Sequence, residues 1–369
     1  MKIIRTLKED DLDQVAVLFA NVYRGPSSSL QAIQSYFREV LFQNPWFDVD
    51  LPSWVYEDDG KIVGVMAIIP RRMSLEGCPV RMAVGCSLFI DPQHRNRLAG
   101  LHLLQKFMAG PQDVSLISGP SEVVAGIWQR LGGEALPFHN LRWLRPLRPA
   151  RTVLDSYSRS HLGQPGPSGL GFYFGGLLCD CLDVALTRLV PRPERPPADL
   201  QAERLDAPVL LSSLSKFAAS YRFRPEYSLR ELEWLLDQLE KKKMHGALQR
   251  VLIRCKRRGI VGWYLYYLNS TGVCEVLRIG AREDSTGEVL NHLFDHARSR
   301  GAAALHGWVE PKLVHALCDR YCIFHGRASK FLFHARNLDA REAMLAGDGL
   351  LTRMEGEWWL RFTESLDKN

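Results

Sequence analysis

The sequence contains no apolar run of membrane-spanning length, and its mean hydropathy is −0.14, which argues against an integral membrane protein, so a soluble chain is expected. It has no CxxC and no Cys/His set with zinc spacing. Its eight cysteines, at positions 78, 86, 179, 181, 255, 274, 318 and 322, therefore read as reduced core residues and not as a disulfide framework. No signal peptide is readable, because Met1-Lys2-Ile3-Ile4-Arg5-Thr6 runs almost at once into Glu9, Asp10 and Asp11; the cytoplasm is the expected compartment. Strong charge bias is also missing. The formal net charge is only +6, a mild basicity that suits nucleic acid, anionic lipid or a phosphorylated cofactor without choosing among them. His292 and His296 stand at i, i+4 and could share a metal on one helix face, but no third ligand accompanies them, so no metal is expected.

What is present is a globular composition, with 46% hydrophobic and 24% charged residues, spread over a length greater than one core usually fills. Two domains are expected. Lys2 to Thr6 alternates as a strand, and Glu9-Asp10-Asp11 supplies carboxylates to the start of a helix through Leu12, Val15, Leu18 and Val22. A second helix carries Leu30, Ile33, Phe37 and Leu41. Ser53 to Glu57 and Lys61 to Pro70 flank Asp58-Asp59-Gly60, a hairpin turn that needs positive φ. Arg81 to Asp91 completes a meander, a helix follows through Leu101, Leu104 and Phe107, and Val114 to Ser118 is one more strand with a helix behind it. The order is βααβββαβα.

The order recurs from Leu200 onward. A strand and two helices lead to Val251 to Cys255, Ile260 to Leu268 and Val273 to Ala281. Gly60-Lys61-Ile62-Val63-Gly64 is answered by Gly259-Ile260-Val261-Gly262, and the Arg95 to Gly100 stretch by Arg282 to Gly287. The implied division is 1–148, a linker at 149–198, and 199–369. Prolines bound the linker, which holds an apolar stretch from Gly171 to Val190. That stretch is expected to pack in the seam between domains; an interfacial membrane helix presenting Phe172, Tyr173 and Phe174 is the alternative.

The loop Arg95-Asn96-Arg97-Leu98-Ala99-Gly100 carries the chemistry. A strand feeding a basic turn that opens a helix brings unpaired backbone N–H groups and the helix dipole to one place, an anion site fit for a pyrophosphate. Here the chain resembles the GNAT superfamily of acyl-CoA-dependent acyltransferases, whose pyrophosphate loop reads Arg/Gln-x-x-Gly-x-Gly/Ala. The stretch from Leu88 to Gly100 and the βααβββαβα order carry the likeness, except that Leu98 stands where the family usually has its first glycine. The resemblance implies an α/β (α+β) fold of two tandem GNAT-like domains, each a twisted, mostly antiparallel mixed sheet flanked by helices. It also implies acyl-CoA held by Leu88, Phe89, Ile90, Arg95, Asn96, Arg97, Leu98, Ala99 and Gly100. Backbone groups of Leu88 and Ile90 would pair with the pantetheine arm in a gap opened by a bulge, and Leu88 would polarise the thioester carbonyl. The second loop, Arg282 to Gly287, carries Glu283 and Asp284 where phosphates would sit, so the second copy is expected to be CoA-free and to shape the acceptor side.

Acid and base are less legible. The family's tyrosine position is occupied by Trp128 in the first copy and by Cys318, near Tyr321, in the second. Candidate bases are Glu122, after the fifth strand, and Glu57, at the end of the second; His139 and Cys86 are weaker alternatives, each more simply read as structural. Arg142, Arg145, Arg148 and Arg151 recur every third residue and read as solvated arginines on a strand leaving the first domain, or as a basic stripe for nucleic acid or lipid. Glu355-Gly356-Glu357-Trp358-Trp359-Leu360 reads as a closing strand of the second domain. The expectation is transfer of an acetyl or other acyl group from acyl-CoA to an amine of a small-molecule or sugar acceptor. An amino sugar is the first guess, because the overall look is similar to bacterial GNAT proteins of polysaccharide biosynthesis. The alternatives are a non-catalytic GNAT-fold module that binds CoA or a partner, and a basic-surface protein. No nucleic-acid partner is expected in the leading reading, and peripheral membrane contact belongs to the linker alternative.

Overall fold

A computed structural model describes residues 2–23, 29–153, 197–269, 272–326, 331–362, 364 and 366, with the backbone but not the side chains of 95–97. The apolar stretch expected between 171 and 190, with Cys179 and Cys181, lies outside the described residues. The strands are β1 (Lys2–Thr6), β2 (Trp54–Asp58), β3 (Lys61–Leu75), β4 (Cys78–Ile90), β5 (Val114–Ser118), β6 (Glu134–Ala135), β7 (Leu141–Pro146), β8 (Leu200–Arg204), β9 (Phe223–Pro225), β10 (Ala247–Cys255), β11 (Gly259–Leu268), β12 (Val273–Ala281), β13 (Ala304–Trp308), β14 (Ile323–Gly326) and β15 (Phe331–Ala335). The helices are α1 (Leu12–Tyr23), α2 (Leu30–Leu41), α3 (Ala99–Met108), α4 (Glu122–Arg130), α5 (Ala207–Phe217), α6 (Leu229–Lys241), α7 (Thr286–Ser299), α8 (Val314–Cys318) and α9 (Leu338–Leu345).

Local chemistry accounts for the junctions. Asp59 and Gly60 have φ of 51° and 79°, the left-handed pair of a two-residue hairpin turn. Glu76 and Gly77, at 53° and 91°, do the same between β3 and β4, which makes this hairpin longer than the Lys61 to Pro70 strand expected from sequence. Ser121 caps α4 by accepting from the Val124 N–H. Ser228 and Glu231 form a reciprocal capping box at the start of α6.

The chain divides into two compact units, 1–140 with 218–242 and 328–369, and 141–217 with 243–327. These are discontinuous, whereas the sequence suggested contiguous domains divided at 148 and 199. The first unit holds an 8-stranded sheet ordered β1-β2-β3-β4-β5-β15-β6, with β9 paired to β3. The second holds a 7-stranded sheet ordered β14-β7-β13-β12-β11-β10-β8. Thus β15, late in the chain, completes the first sheet by pairing antiparallel with β5, and β7, from the first half, lies between β13 and β14 in the second. Both sheets are mixed: β4–β5 and β12–β13 are parallel, and the other pairings are antiparallel.

In the first unit α3 packs on one face of the sheet, where Leu103, Leu104 and Phe107 meet Met66, Ile68, Ala83, Ile117 and Trp128. The opposite face carries an aromatic cluster in which Phe89 lies 5.5 Å from Phe19 and 6.1 Å from Phe37, and Phe362 lies 5.0 Å from Phe37. In the second unit Val289, Leu293, Phe294 and Ala297 of α7 pack on Tyr264, Val276, Ile279 and Leu305.

Several sequence expectations change here. Arg145 is buried in β7 of the second sheet, where its Nη1 donates to the Tyr321 carbonyl at 3.3 Å, so it is not a solvated arginine of the first domain. Residues 350–362 form turns instead of a closing strand and belong to the first unit. Cys78 and Cys318 are exposed, while Cys86, Cys255, Cys274 and Cys322 are buried. Among the described residues no helix is long and apolar enough to cross a membrane.

Candidate functional site

The candidate site is a splayed pair of strands. β4 and β5 pair only from Met82↔Val114 to Gly85↔Ile117, while β4 stays paired to β3 as far as Gly64↔Ile90. The β3–β4 register shifts between Ala67↔Ser87 and Ile68↔Gly85, which leaves Cys86 as the extra residue of a bulge. Gly85 is required where the strands part: a Cβ there would stand 2.4 Å from Met66 Cε and 2.9 Å from Ile117 Cγ2.

Beyond the bulge β4 offers its backbone to the gap. The Asp91 N–H donates to the Val63 carbonyl at 2.9 Å, so, by the alternation of an antiparallel ladder, Asp91 and Phe89 face β3. The N–H and C=O groups of Leu88 and Ile90 then face the opened side. Their side chains pack with the α3 cluster, and that of Phe89 joins the aromatic cluster.

Asp91 next caps a short 3-10 turn, Pro92–Arg97, accepting from the Gln93 N–H at 2.9 Å. Leu98 follows with φ 59° and ψ 11° and 59% of its surface exposed. This left-handed conformation favours glycine, which gives a physical reason for the glycine of the GNAT pattern and shows that leucine can hold the same turn. α3 begins at Ala99, and its first intrahelical bond is His102 N–H to Leu98 O at 3.0 Å. The N–H groups of Ala99, Gly100 and Leu101 thus point from the positive end of the helix. At Gly100 an added Cβ would meet only Ile90 Cγ1, at 3.9 Å.

On the other face of the splay, Ser118 at the end of β5 donates its hydroxyl to Glu357 Oε1 at 2.9 Å. Burial raises the Glu357 carboxyl to about 8, with the Ser118 hydrogen bond acting in the opposite sense. Burial, reinforced by the Glu357 charge, likewise pushes the Cys86 thiol well above its ordinary value. Neither Ser118 nor Glu357 carries a local sequence signal of a site residue. Gly356-Glu357-Trp358-Trp359 alternates no differently from an ordinary strand, and nothing local says that it returns to β5.

The sequence candidates are dispersed. Glu57, on β2, accepts from Arg5 Nε at 2.7 Å, and β3 separates its strand from β4. Glu122 is exposed in the first turn of α4. His139 is buried, and desolvation lowers it to about 4. Trp128, at 0% exposure, donates its indole N–H to the Phe333 carbonyl at 3.3 Å, which makes it a core residue that ties α4 to β15. Cys318 and Tyr321 are exposed in the second unit.

The second sheet repeats the splay. β12 pairs with β13 only as far as Val276↔Gly307, Leu277 is the bulged residue opposite Leu265/Tyr266, and Arg282 N–H donates to Val261 O at 3.2 Å as Asp91 does to Val63. The helix entry differs. Asp284 accepts from Ser285 Oγ at 2.8 Å, Glu288 pairs with Arg258 at 2.6 Å, and Arg320 Nε reaches the Gly287 carbonyl at 3.2 Å. A Cβ on Gly287 would lie 2.3 Å from Arg320 Nη2. His292 and His296 are engaged through Nδ1 with the hydroxyls of Tyr264 and Tyr266, each at 2.9 Å. Among the described residues no group of three His, Cys, Asp or Glu side chains is arranged to hold a metal.

Residues 3–113 match the family described as "Acetyltransferase (GNAT) domain". No curated protein matches the chain. Among solved structures, a probable N-acyltransferase from Enterococcus faecalis aligns over 94% of this chain and 74% of its own, with a TM-score of 0.59 at 10% identity. A GCN5-related N-acetyltransferase from Kribbella flavida aligns over 92% of this chain and 72% of its own, with a TM-score of 0.54 at 15% identity. Saccharomyces cerevisiae N-myristoyltransferase with bound myristoyl-CoA aligns over 90% and 77%, with a TM-score of 0.50 at 14% identity. The splayed, bulged strand and the helix entry that follows it agree with these likenesses: the chain has the GNAT fold, and its residues 3–113 match the acetyltransferase (GNAT) domain family.

Proposed function

We propose that this chain transfers an acyl group from acyl-CoA to an amine, using the splay between β4 and β5. The observation that carries the reading is the splay itself, which frees the backbone groups of Leu88 and Ile90 on β4 while the strand it leaves, β5, ends at Ser118 in a hydrogen bond to the Glu357 carboxyl. The N–H groups of Ala99, Gly100 and Leu101 would take the pyrophosphate, with the charges of Arg95 and Arg97 nearby in sequence. Leu88 and Ile90 would bind the pantetheine arm as an added strand does, and the Leu88 N–H would donate to the thioester oxygen as it gains negative charge.

The acceptor enters as its ammonium and must lose a proton before attack. Glu357, raised to about 8, is matched to an amine at neutral pH in a way that an ordinary carboxylate is not. The neutral amine attacks the thioester carbonyl, the C–N bond forms and the C–S bond breaks. Of the two protons the nitrogen loses, the first, from the ammonium, goes to Glu357 and the second, released as the amide forms, passes to solvent, which also protonates the departing CoA thiolate. Glu357 is favoured over Glu57, whose carboxylate is taken by Arg5, and over the exposed Glu122. The family tyrosine has no counterpart in Trp128, which is spent on the core; a thiolate leaves without a strong acid.

In the second unit Arg320 and the acidic helix entry support a copy without CoA. The acetyl group is the simplest donor, and cytoplasmic placement fits the need for CoA. Titration calorimetry with acetyl-CoA, CoA and longer acyl-CoAs tests the reading. One equivalent per chain is expected; no binding overturns it, and binding without thiol release across an amine panel converts it to a CoA-binding module.

A further inference from the structure

The face of the first sheet that carries Glu357 also carries a buried cation. The register Arg71↔Met82 and the two-residue alternation along β4 put Arg71, Met82, Val84 and Cys86 on one face. The parallel register Met82↔Val114 adds Leu116 and Ser118 to it. Residues 354–359 cover this face: Arg71 Nη2 donates to the Met354 carbonyl at 3.2 Å, and Ser118 reaches Glu357 at 2.9 Å.

Arg71 is 3% exposed, and its guanidinium lies 3.7 Å from the ring centre of Trp46 and 5.4 Å from that of Trp359. The ring faces compensate part of the charge, but they give its N–H groups no lone pair. Among the described residues Arg71 Nε and Nη1, Trp46 Nε1 and Trp359 Nε1 are all buried without a hydrogen-bond acceptor. The neighbouring carboxylates are committed elsewhere. Glu355 accepts from the Tyr227 hydroxyl at 2.6 Å and from Thr352 N and Oγ1 at 2.7 and 2.6 Å. Glu231 caps α6 at Ser228 N and pairs with Arg72, and Glu357 is held by Ser118. Buried donors of this kind are normally satisfied, and this set contains donors only, with one net positive charge.

We infer that Arg71, with the indole N–H groups of Trp46 and Trp359, holds a carboxylate of the acyl acceptor, so that the acceptor is an amino acid or another amino-carboxylate. The inference rests on the reading of this face as the acceptor side of an acyltransferase. The one positive charge is balanced by one carboxylate, whereas a dianionic phosphate would leave a buried negative charge uncompensated. With the carboxylate anchored at Arg71, the amine is directed along the same face toward Glu357 and the bulge at Cys86. Arg71 is thus a binding residue that sets which amine arrives.

The test uses the full chain at fixed ionic strength and neutral pH. Melting temperature is followed with L-glutamate, β-alanine, glutarate and muramate, with glutaramide and glycinamide as carboxamide controls, and with phosphoethanolamine. Carboxylates are expected to raise the melting temperature of the wild type and to leave that of Arg71→Met unmoved; the amides should do neither. Trp46→Phe keeps the ring, removes one N–H and should shrink the shift, which provides a second variant should Arg71→Met fail to fold. In acyl transfer, amino-carboxylates should exceed their amides by at least about tenfold in kcat/KM, because a site built to bind a polar group rejects the analogue that lacks it. Equal response to acids and amides, an equal or larger response to phosphoethanolamine, or a preference that survives in both variants overturns the inference. Absence of CoA binding in calorimetry would overturn the acyltransferase reading instead, and the melting comparison would still decide the carboxylate site.

Discussion

Ser118 Oγ and Glu357 Oε1 stand 2.9 Å apart although 239 positions separate them in the chain. The pair joins the end of β5 to a turn of the C-terminal segment. It puts a desolvated carboxyl beside the bulge at Cys86, where β4 leaves β5.

Glu357→Gln should lower kcat by roughly 10²- to 10⁴-fold, the usual worth of a general base, and leave CoA affinity unchanged in calorimetry. In the wild type kcat/KM should rise with pH through about 8 as Glu357 ionises, and the variant should lose that limb. Stability moves the other way. The folded carboxyl keeps its proton to about 8 and an unfolded one releases it near 4.5, so the folded state binds more protons between these values and stability falls as pH rises through them. The Gln variant should be free of this fall, as urea midpoints at pH 5 and pH 9 will show.

Leu98→Gly should stabilise the turn before α3 by about 1 kcal/mol, because a leucine held at positive φ costs about that much. It should bind acetyl-CoA at least as tightly as wild type. Gly100→Ala has room and should bind CoA nearly normally. Gly100→Glu, which sets a carboxylate among the N–H groups of the helix entry, should abolish CoA binding measured by calorimetry.

Trp128→Ala should cost about 3–5 kcal/mol, as expected for a large aromatic removed from a core. Trp128→Phe should cost less and keep turnover if the protein is folded. A loss of kcat without loss of stability in Trp128→Phe would contradict its assignment to the core.

Burial lowers His139 and His296 to about 4, against an ordinary value of 6.5. The unfolded chain therefore binds more protons between these values. The stability that their neutral forms provide is fully present above 6.5 and is lost as pH falls toward 4. Denaturant midpoints should drop across that window, and His139→Gln should flatten part of the drop.

A chain cut after residue 148 should fail to give a stable first domain. Removing Phe331–Ala335 strips β5 of its antiparallel partner and Trp128 of its acceptor, and removing 350–362 takes Glu357 and Trp359 with it. Circular dichroism melting of the truncated and full chains will compare them.

The local elements were legible because their signals are local. Alternation and the Asp59-Gly60 turn located the β2–β3 hairpin. Helical spacing located α1 to α3, and the echo of Val63-Gly64 in Val261-Gly262 located a duplication that both registers reproduce. The helix entry at Leu98 to Gly100 was readable for the same reason, since a strand, a turn and a helix in sequence fix where the free N–H groups lie.

The amino-acid sequence by itself determined two copies of one βααβββαβα order and, in the first, a helix entry with free N–H groups, since each follows from periodicity and turn chemistry within a few residues. Only the tertiary structure decided that β7 and β15 enter the sheets of the opposite halves, that Glu357 comes to Ser118 at the splay and that Trp359 comes to Arg71. Strand partners in a sheet are chosen by register and burial across long sequence separations. A hydrophobic segment such as Phe331 to Phe333 is equally suited to either sheet until packing selects one. The burial that raises Glu357 and isolates Arg71 among indole rings exists only after that selection, so neither residue could be told from an ordinary charged side chain in the sequence.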